Sequence, residues 1–138
     1  KLIGKAKARS FTSSEYPGEE KFEDSCSNCR ERFVYYEKIK RENELFHNYS
    51  PSYGWISESL RVKSLINRGK PENIETPVLI FSAENDTVVE KKPQEKLEEK
   101  IRECRMEIIP GAKHEIYLSD DKTVENYIGE ILKFYLSN

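Results

Sequence analysis

The sequence predicts an α/β fold for its C-terminal half, on three observations. Two short strand-like runs, Val78-Leu79-Ile80-Phe81 and Met106-Glu107-Ile108-Ile109, are separated by one helix-length segment. Each run ends in turn residues, Ser82 to Thr87 after the first and Pro110-Gly111 after the second. The segments that follow the runs carry helical periodicity, which gives the alternation strand–helix–strand–helix of a doubly wound sheet over residues 71–138. Residues 1–70 hold no such runs and are predicted mostly helical.

Taken in order, residues 1–24 show no period, and Pro17-Gly18 marks a turn. A helix is predicted from about Asn28, capped by Ser27 or Asn28, with Glu31 in its first turn. Phe33, Tyr36, Ile39 and Lys40 share one side of it, and Arg32, Glu37, Lys38, Arg41 and Glu42 form a charged remainder. Asn48, Ser50, Pro51 and Gly54 are expected to break it. Trp55 opens a second predicted helix, with Ile56, Leu60, Lys63 and Ile66 near 3.6 spacing, Gly69 after its end and Pro71 as the stop. The apolar run that starts at Val78 should be buried on both faces, as in a parallel sheet. A helix follows from Pro93 to Arg102 with Leu97 and Ile101 on one face, Pro93 lying in its first turn. Thr123 begins the last helix, whose apolar side holds Val124, Tyr127, Ile128, Ile131, Leu132 and Tyr135. Two parallel strands do not make a stable sheet, so further strands are expected from elsewhere.

Composition bounds the function. The chain has 138 residues, enough for one domain, with 36% hydrophobic and 35% charged residues. Aromatic residues at 11% argue against disorder. The net charge is -2 with both signs interspersed. The basic start Lys1, Lys5, Lys7 and Arg9 is offset by Glu15, Glu19 and Glu20, which excludes a nucleic-acid partner. No apolar run approaches the roughly 20 residues of a membrane span, and no signal peptide is visible. The chain starts at Lys1 instead of Met, as expected of processing, trimming or a fragment. The three cysteines, Cys26, Cys29 and Cys104, are an odd number, which fits a reducing, cytoplasmic setting. Cys26-Ser27-Asn28-Cys29 has C-x-x-C spacing, but it lacks further ligands for zinc and a preceding strand for redox work, so ordinary thiols are expected.

In open α/β sheets, chemistry collects at the C-terminal ends of the strands. Asp86 follows the first predicted strand and His114 the second. A carboxylate there can hold an imidazole in one tautomer, and the imidazole can take a proton from a serine hydroxyl. A turn aspartate is often only a turn former, so spacing alone leaves both readings open. His47 lies among charged residues and is expected to be structural.

The stretch Pro77-Val-Leu-Ile-Phe-Ser-Ala-Glu-Asn-Asp86-Thr-Val-Val89 resembles the acid-bearing strand and turn of the lysophospholipase and monoglyceride-lipase branch of the α/β-hydrolases. Ile109-Pro-Gly-Ala-Lys-His114-Glu115 resembles that family's histidine segment, and Ile128 to Tyr135 its closing helix. Ser50-Pro-Ser-Tyr-Gly-Trp55-Ile-Ser-Glu58 resembles its second cap helix, and Phe22 to Phe33 the start of the cap. The likeness covers about residues 20–138. It implies the C-terminal part of an α/β-hydrolase, namely a helical cap over 1–70 and the last two parallel strands with flanking helices over 71–138. It also implies Asp86 and His114 as triad acid and base, and Phe46, Tyr53 and Trp55 as liners of an acyl slot. The substrate would be a mono-acyl lipid ester met at the membrane periphery, with no metal or organic cofactor.

The family's nucleophile stands in a G-x-S-x-G elbow ahead of the cap. This sequence has no G-x-S-x-G, and Ser10, Ser13 and Ser14 lack the flanking glycines. Near Cys26 the family's threonine is replaced, and Asn48-Tyr49 stands where glycines are common. The expected partner is therefore an N-terminal half that carries the serine. A second reading is a catalytically inactive remnant that self-associates by sharing strands. A serine aminopeptidase or a haloperoxidase-like esterase of the same branch shares the pattern.

Overall fold

The computed structural model describes residues 4–9, 18–47 and 51–138. The turn expected at Pro17, the candidate serines Ser10, Ser13 and Ser14, and Asn48, Tyr49 and Ser50 lie outside the described residues. The chain divides into two compact units, Lys1–Glu19 with Ile39–Lys70, and Glu20–Lys38 with Pro71–Asn138.

In the first unit a helix runs over Tyr53–Arg68 (α2, the helix α1 being Arg30–Glu42). It starts two residues ahead of the predicted Trp55, because Ser52 caps it: the Ser52 hydroxyl accepts from the Trp55 N–H at 3.1 Å. Gly54, expected as a breaker, lies instead in the first turn. Its N–H donates to the Ala6 carbonyl at 2.8 Å, and the Tyr53 N–H donates to the Ala8 carbonyl at 2.9 Å. A Cβ at Gly54 would stand 2.8 Å from the Ala6 oxygen, so this close backbone approach requires glycine. At the other end Gly69 donates to the Leu65 carbonyl at 2.7 Å. The predicted apolar face of α2 is not buried: Leu60 is 62% exposed and Ile66 51% exposed.

The second unit holds the predicted alternation. Strand β1 spans Val78–Ala83, helix α3 Lys91–Glu98, strand β2 Cys104–Ile109 and helix α4 Asp121–Ser137. The strands pair in parallel, from Val78 opposite Cys104 to Ala83 opposite Ile109. Helix boundaries shift where caps decide them. α4 starts at Asp121 because the Asp120 carboxylate accepts from the Thr123 N–H at 3.1 Å. α3 runs from Lys91 to Glu98, with Pro93 in the first turn, where its missing N–H has no partner to lose.

The small core joins Ala83, Ala112 and Ile116, against which Phe81, Ile109 and Tyr127 pack. Phe81 and Tyr127 meet edge to face, with centroids 4.7 Å apart. β1 was expected to be buried on both faces, but only Ser82 and Ala83 are buried and Val78–Phe81 are half-buried. The sheet has two strands among the described residues, so the outer side of β1 meets no third strand. On the predicted apolar side of α4, Leu132 and Tyr135 likewise remain exposed.

The two outer edges of the sheet differ. In the parallel ladder, Val78 donates to Glu103 and Glu84 to Ile109, so the N–H groups of Cys104, Met106 and Ile108 point away from β1. The Met106 N–H is capped by the Glu98 carboxylate at 2.7 Å. On β1 the outward N–H groups belong to Leu79, Phe81 and Ala83, and no backbone partner meets them among the described residues. No helix of the described residues is long and apolar enough to cross a membrane.

Candidate active site

Both strands end at the same level, and their following turns are tied together. Asn85 donates to the Ala112 carbonyl at 2.9 Å, and Gly111 donates to the Glu84 carboxylate at 2.7 Å. Gly111 takes a φ of 69°, which lets the chain reverse sharply after Pro110. Ala112, fully buried, then packs on Ala83. This geometry delivers Asp86 and His114 to one rim.

Asp86 Oδ2 stands 2.9 Å from His114 Nδ1. Asp86 Oδ1 accepts from the N–H groups of Val88 at 2.8 Å and Val89 at 2.9 Å, so one carboxylate oxygen is fixed by the turn and the other is aimed at the ring. The Asp86 side chain is 10% exposed and that of His114 38%. Burial pushes the Asp86 carboxyl up, but the hydrogen bonds from His114, Val89 and Val88 and the charge of the imidazole outweigh it. The net result holds Asp86 below the ordinary aspartate value.

An ionised Asp86 can only accept a hydrogen bond, so the proton of a neutral His114 resides on Nδ1. Nε2 then carries the lone pair and is the basic atom presented at the rim. Cys26 stands in the same electrostatic neighbourhood. Burial raises its thiol, as do the charges of Glu115, Glu20 and Asp86, while Lys113 opposes them. Tyr117 is also pushed up, by burial and by Glu115, to which its hydroxyl donates at 3.0 Å.

The depressed Asp86 carboxyl makes a testable contribution to stability. An aspartate whose folded pKa lies below its unfolded value stabilises the fold at pH values above the unfolded one, about 3.9. That contribution is lost as pH falls through the folded value. The urea midpoint of the wild type should therefore drop more steeply below about pH 4 than that of Asp86→Asn. Parallel curves would refute the linkage.

Of the residues predicted from sequence, the structure brings Asp86 and His114 together. Phe46, Tyr53 and Trp55 belong to the first unit, where Phe46 is 51% and Trp55 64% exposed and Tyr53 is half-buried at the start of α2. Sequence reasoning missed the amides of Val88 and Val89, although an aspartate two residues ahead of a turn amide is a recurrent local signal. Cys26, Cys29 and Cys104 are free thiols. No three acidic, histidine or cysteine side chains gather to hold a metal among the described residues.

The parallel pair of strands with its flanking helices has the fold of the α/β-hydrolases. Residues 1–121 match the family model of the serine aminopeptidases, S33, and the chain belongs to that family. It is similar to a probable lysophospholipase L2 of Haemophilus influenzae, 29% identical over 106 residues, which covers 77% of this chain and 34% of the relative. Its fold is similar to that of a soluble variant of monoglyceride lipase from Saccharomyces cerevisiae, solved with a substrate analogue. That likeness has a TM-score of 0.58 at 19% identity and covers 71% of this chain and 36% of the other. The chain thus spans about a third of the length of both.

Proposed function

We propose that this chain supplies the acid and the base of a serine ester hydrolase that acts on mono-acyl lipids, lysophospholipid or monoacylglycerol. The observation that carries the reading is the 2.9 Å contact between His114 Nδ1 and Asp86 Oδ2 at the rim where two parallel strands end. The names of the similar proteins support the substrate class. The nucleophilic serine belongs to a serine-bearing N-terminal portion.

In the reaction, Nε2 of His114 takes the serine hydroxyl proton as the oxygen attacks the ester carbonyl. The tetrahedral intermediate collapses by breaking the bond to the leaving alcohol, which receives that proton from His114. Water, deprotonated by the same nitrogen, then releases the fatty acid and restores the serine. Asp86 holds the ring and stabilises its cation throughout. No step requires a metal or an organic cofactor. The exposed apolar residues of α2, Trp55, Leu60, Val62, Leu65 and Ile66, support a lid function with Trp55, Tyr53 and Phe46 against the acyl chain. They also suit a cytoplasmic enzyme working at a membrane surface.

The open outer edge of β1 favours a second reading, a catalytically inactive chain that self-associates through that strand. One experiment separates the two. The purified protein is treated with a fluorophosphonate probe and its intact mass is measured. A co-purifying serine-bearing polypeptide that carries the adduct is the expected result. A single unlabelled species at the mass of this chain would withdraw the catalytic reading for it.

A further inference from the structure

We propose that Ser25–Asn28 is a clamp that positions His114, with Ser27 as its central positioning residue; the proposal rests on the reading of His114 as general base. Four consecutive residues reach four points of the loop that carries the histidine. Lys113 Nζ donates to the Ser25 carbonyl at 2.9 Å, and the Glu115 N–H donates to the Cys26 carbonyl at 3.1 Å. The Ser27 hydroxyl donates to the Leu118 carbonyl at 2.7 Å, and Asn28 Nδ2 donates to the Gly111 carbonyl at 2.8 Å. His114 lies between Lys113, tied through its side-chain Nζ, and Glu115, tied through its backbone N–H, so the backbone is held directly on the C-terminal side of the histidine and again at the Gly111 carbonyl three residues before it.

The clamp is itself braced. Ser27 is fully buried, and its hydroxyl accepts from the Cys29 N–H at 3.2 Å while donating to Leu118. The Ser25 hydroxyl donates to the Phe22 carbonyl at 2.8 Å and receives the Ser27 N–H at 3.3 Å. Lys113 Nζ also reaches the Glu23 carbonyl at 3.4 Å and stands 5.7 Å from the centre of the Phe22 ring. Helix α1 begins at Arg30, after one intervening residue.

The His114 side chain is 38% exposed, and its ring is hydrogen-bonded to Asp86, so packing alone holds it loosely. Asp86 is fixed independently, by Val88 and Val89. The alignment of the ring on the carboxylate therefore depends on where the backbone places the histidine. A displacement of about 1 Å in such a group costs on the order of 100-fold in rate.

The test uses the nitrogen-15-labelled full chain. The ring nitrogen shifts of His114 report its tautomer, and hydrogen exchange at the Glu115 amide reports the clamp. Ser27→Ala should speed Glu115 exchange by about tenfold and move the ring toward the mixed tautomers of a free imidazole. Exchange in the β1–β2 ladder serves as the check that the fold persists. Unchanged ring shifts and unchanged Glu115 exchange in Ser27→Ala would overturn the proposal. Should Ser27→Ala unfold, Asn28→Ala removes the exposed bond to Gly111 and is expected to move both readouts in the same direction, and no movement there overturns it equally. Asp86→Asn separates the clamp from the catalytic reading. A tautomer lost in Asp86→Asn but kept in Ser27→Ala rejects the clamp and leaves the pair. A clamp response without any effect of His114→Ala on ester hydrolysis rejects the catalytic role and leaves the clamp.

Discussion

His114→Ala is expected to lower kcat for ester hydrolysis about 10,000-fold in the serine-bearing enzyme, with little change in KM. The imidazole makes its strongest interaction only as the proton moves, so its loss falls on the chemical step and spares ground-state binding. Asp86→Asn should cost a comparable factor by a different route. An amide can donate a hydrogen bond to Nδ1, which would leave the proton on Nε2 and remove the lone pair that the serine needs. Because the two residues act as a unit, the double variant should be little worse than either single one. Steady-state hydrolysis of a monoacylglycerol and a lysophospholipid measures all three. Retention of more than about a tenth of wild-type turnover by His114→Ala would remove it from the mechanism. His114→Ala also removes the hydrogen bond that most lowers the Asp86 carboxyl, so its unfolding midpoint at neutral pH should fall modestly below that of the wild type.

The second large effect is on stability. Phe33→Ala should destabilise the chain by about 3 kcal/mol or more, and Phe33→Leu by about 1 kcal/mol. Phe33 is 8% exposed, and its ring meets that of Phe22 edge to face, with centroids 5.5 Å apart. Phe22 in turn carries the Arg30 guanidinium 4.4 Å from its centre. Removal of one ring thus opens a cavity beneath a stacked cation as well as beneath the helix. Urea melts of the three proteins measure the difference. Indistinguishable midpoints would show that Phe33 contributes no packing and that this end of α1 is held by other contacts.

Residue pattern and structure agree where local chemistry decides the outcome. Val78–Phe81 is apolar and β-branched-rich, Pro110-Gly111 cannot continue a strand, and these two facts fix the positions of Asp86 and His114 beyond the strand ends. Helix starts moved by two residues at Ser52 and Asp120, because a capping side chain outranks the first apolar residue of the periodic face. The burial of α2, α4 and β1 was not legible. Apolar periodicity states that a face is suited to burial, and only the neighbouring elements decide whether it is buried. The four bonds onto the histidine loop were not legible either. They join residues 83 to 91 positions apart, and all four of their acceptors are carbonyl groups in the loop or clamp whose direction no side-chain identity announces. In the sequence, Ser27 and Asn28 suggested only a helix cap.

The Glu98 carboxylate on the Met106 amide covers one of the three outward N–H groups of the β2 margin, whereas no backbone partner meets those of the β1 margin among the described residues. A sheet with two free margins is a monomer for open-ended polymerisation, since each added copy exposes a new site like the one it filled. Here the β2 margin is interrupted at its middle by the molecule's own side chain, so a strand is received more readily along β1 than along β2. Two copies that met there would be related by a two-fold axis, with both capped margins facing outward, and the assembly would close as a pair. Glu98→Ala would open the second margin to a further strand, and turbidity that rises with concentration is the expected mark of that change.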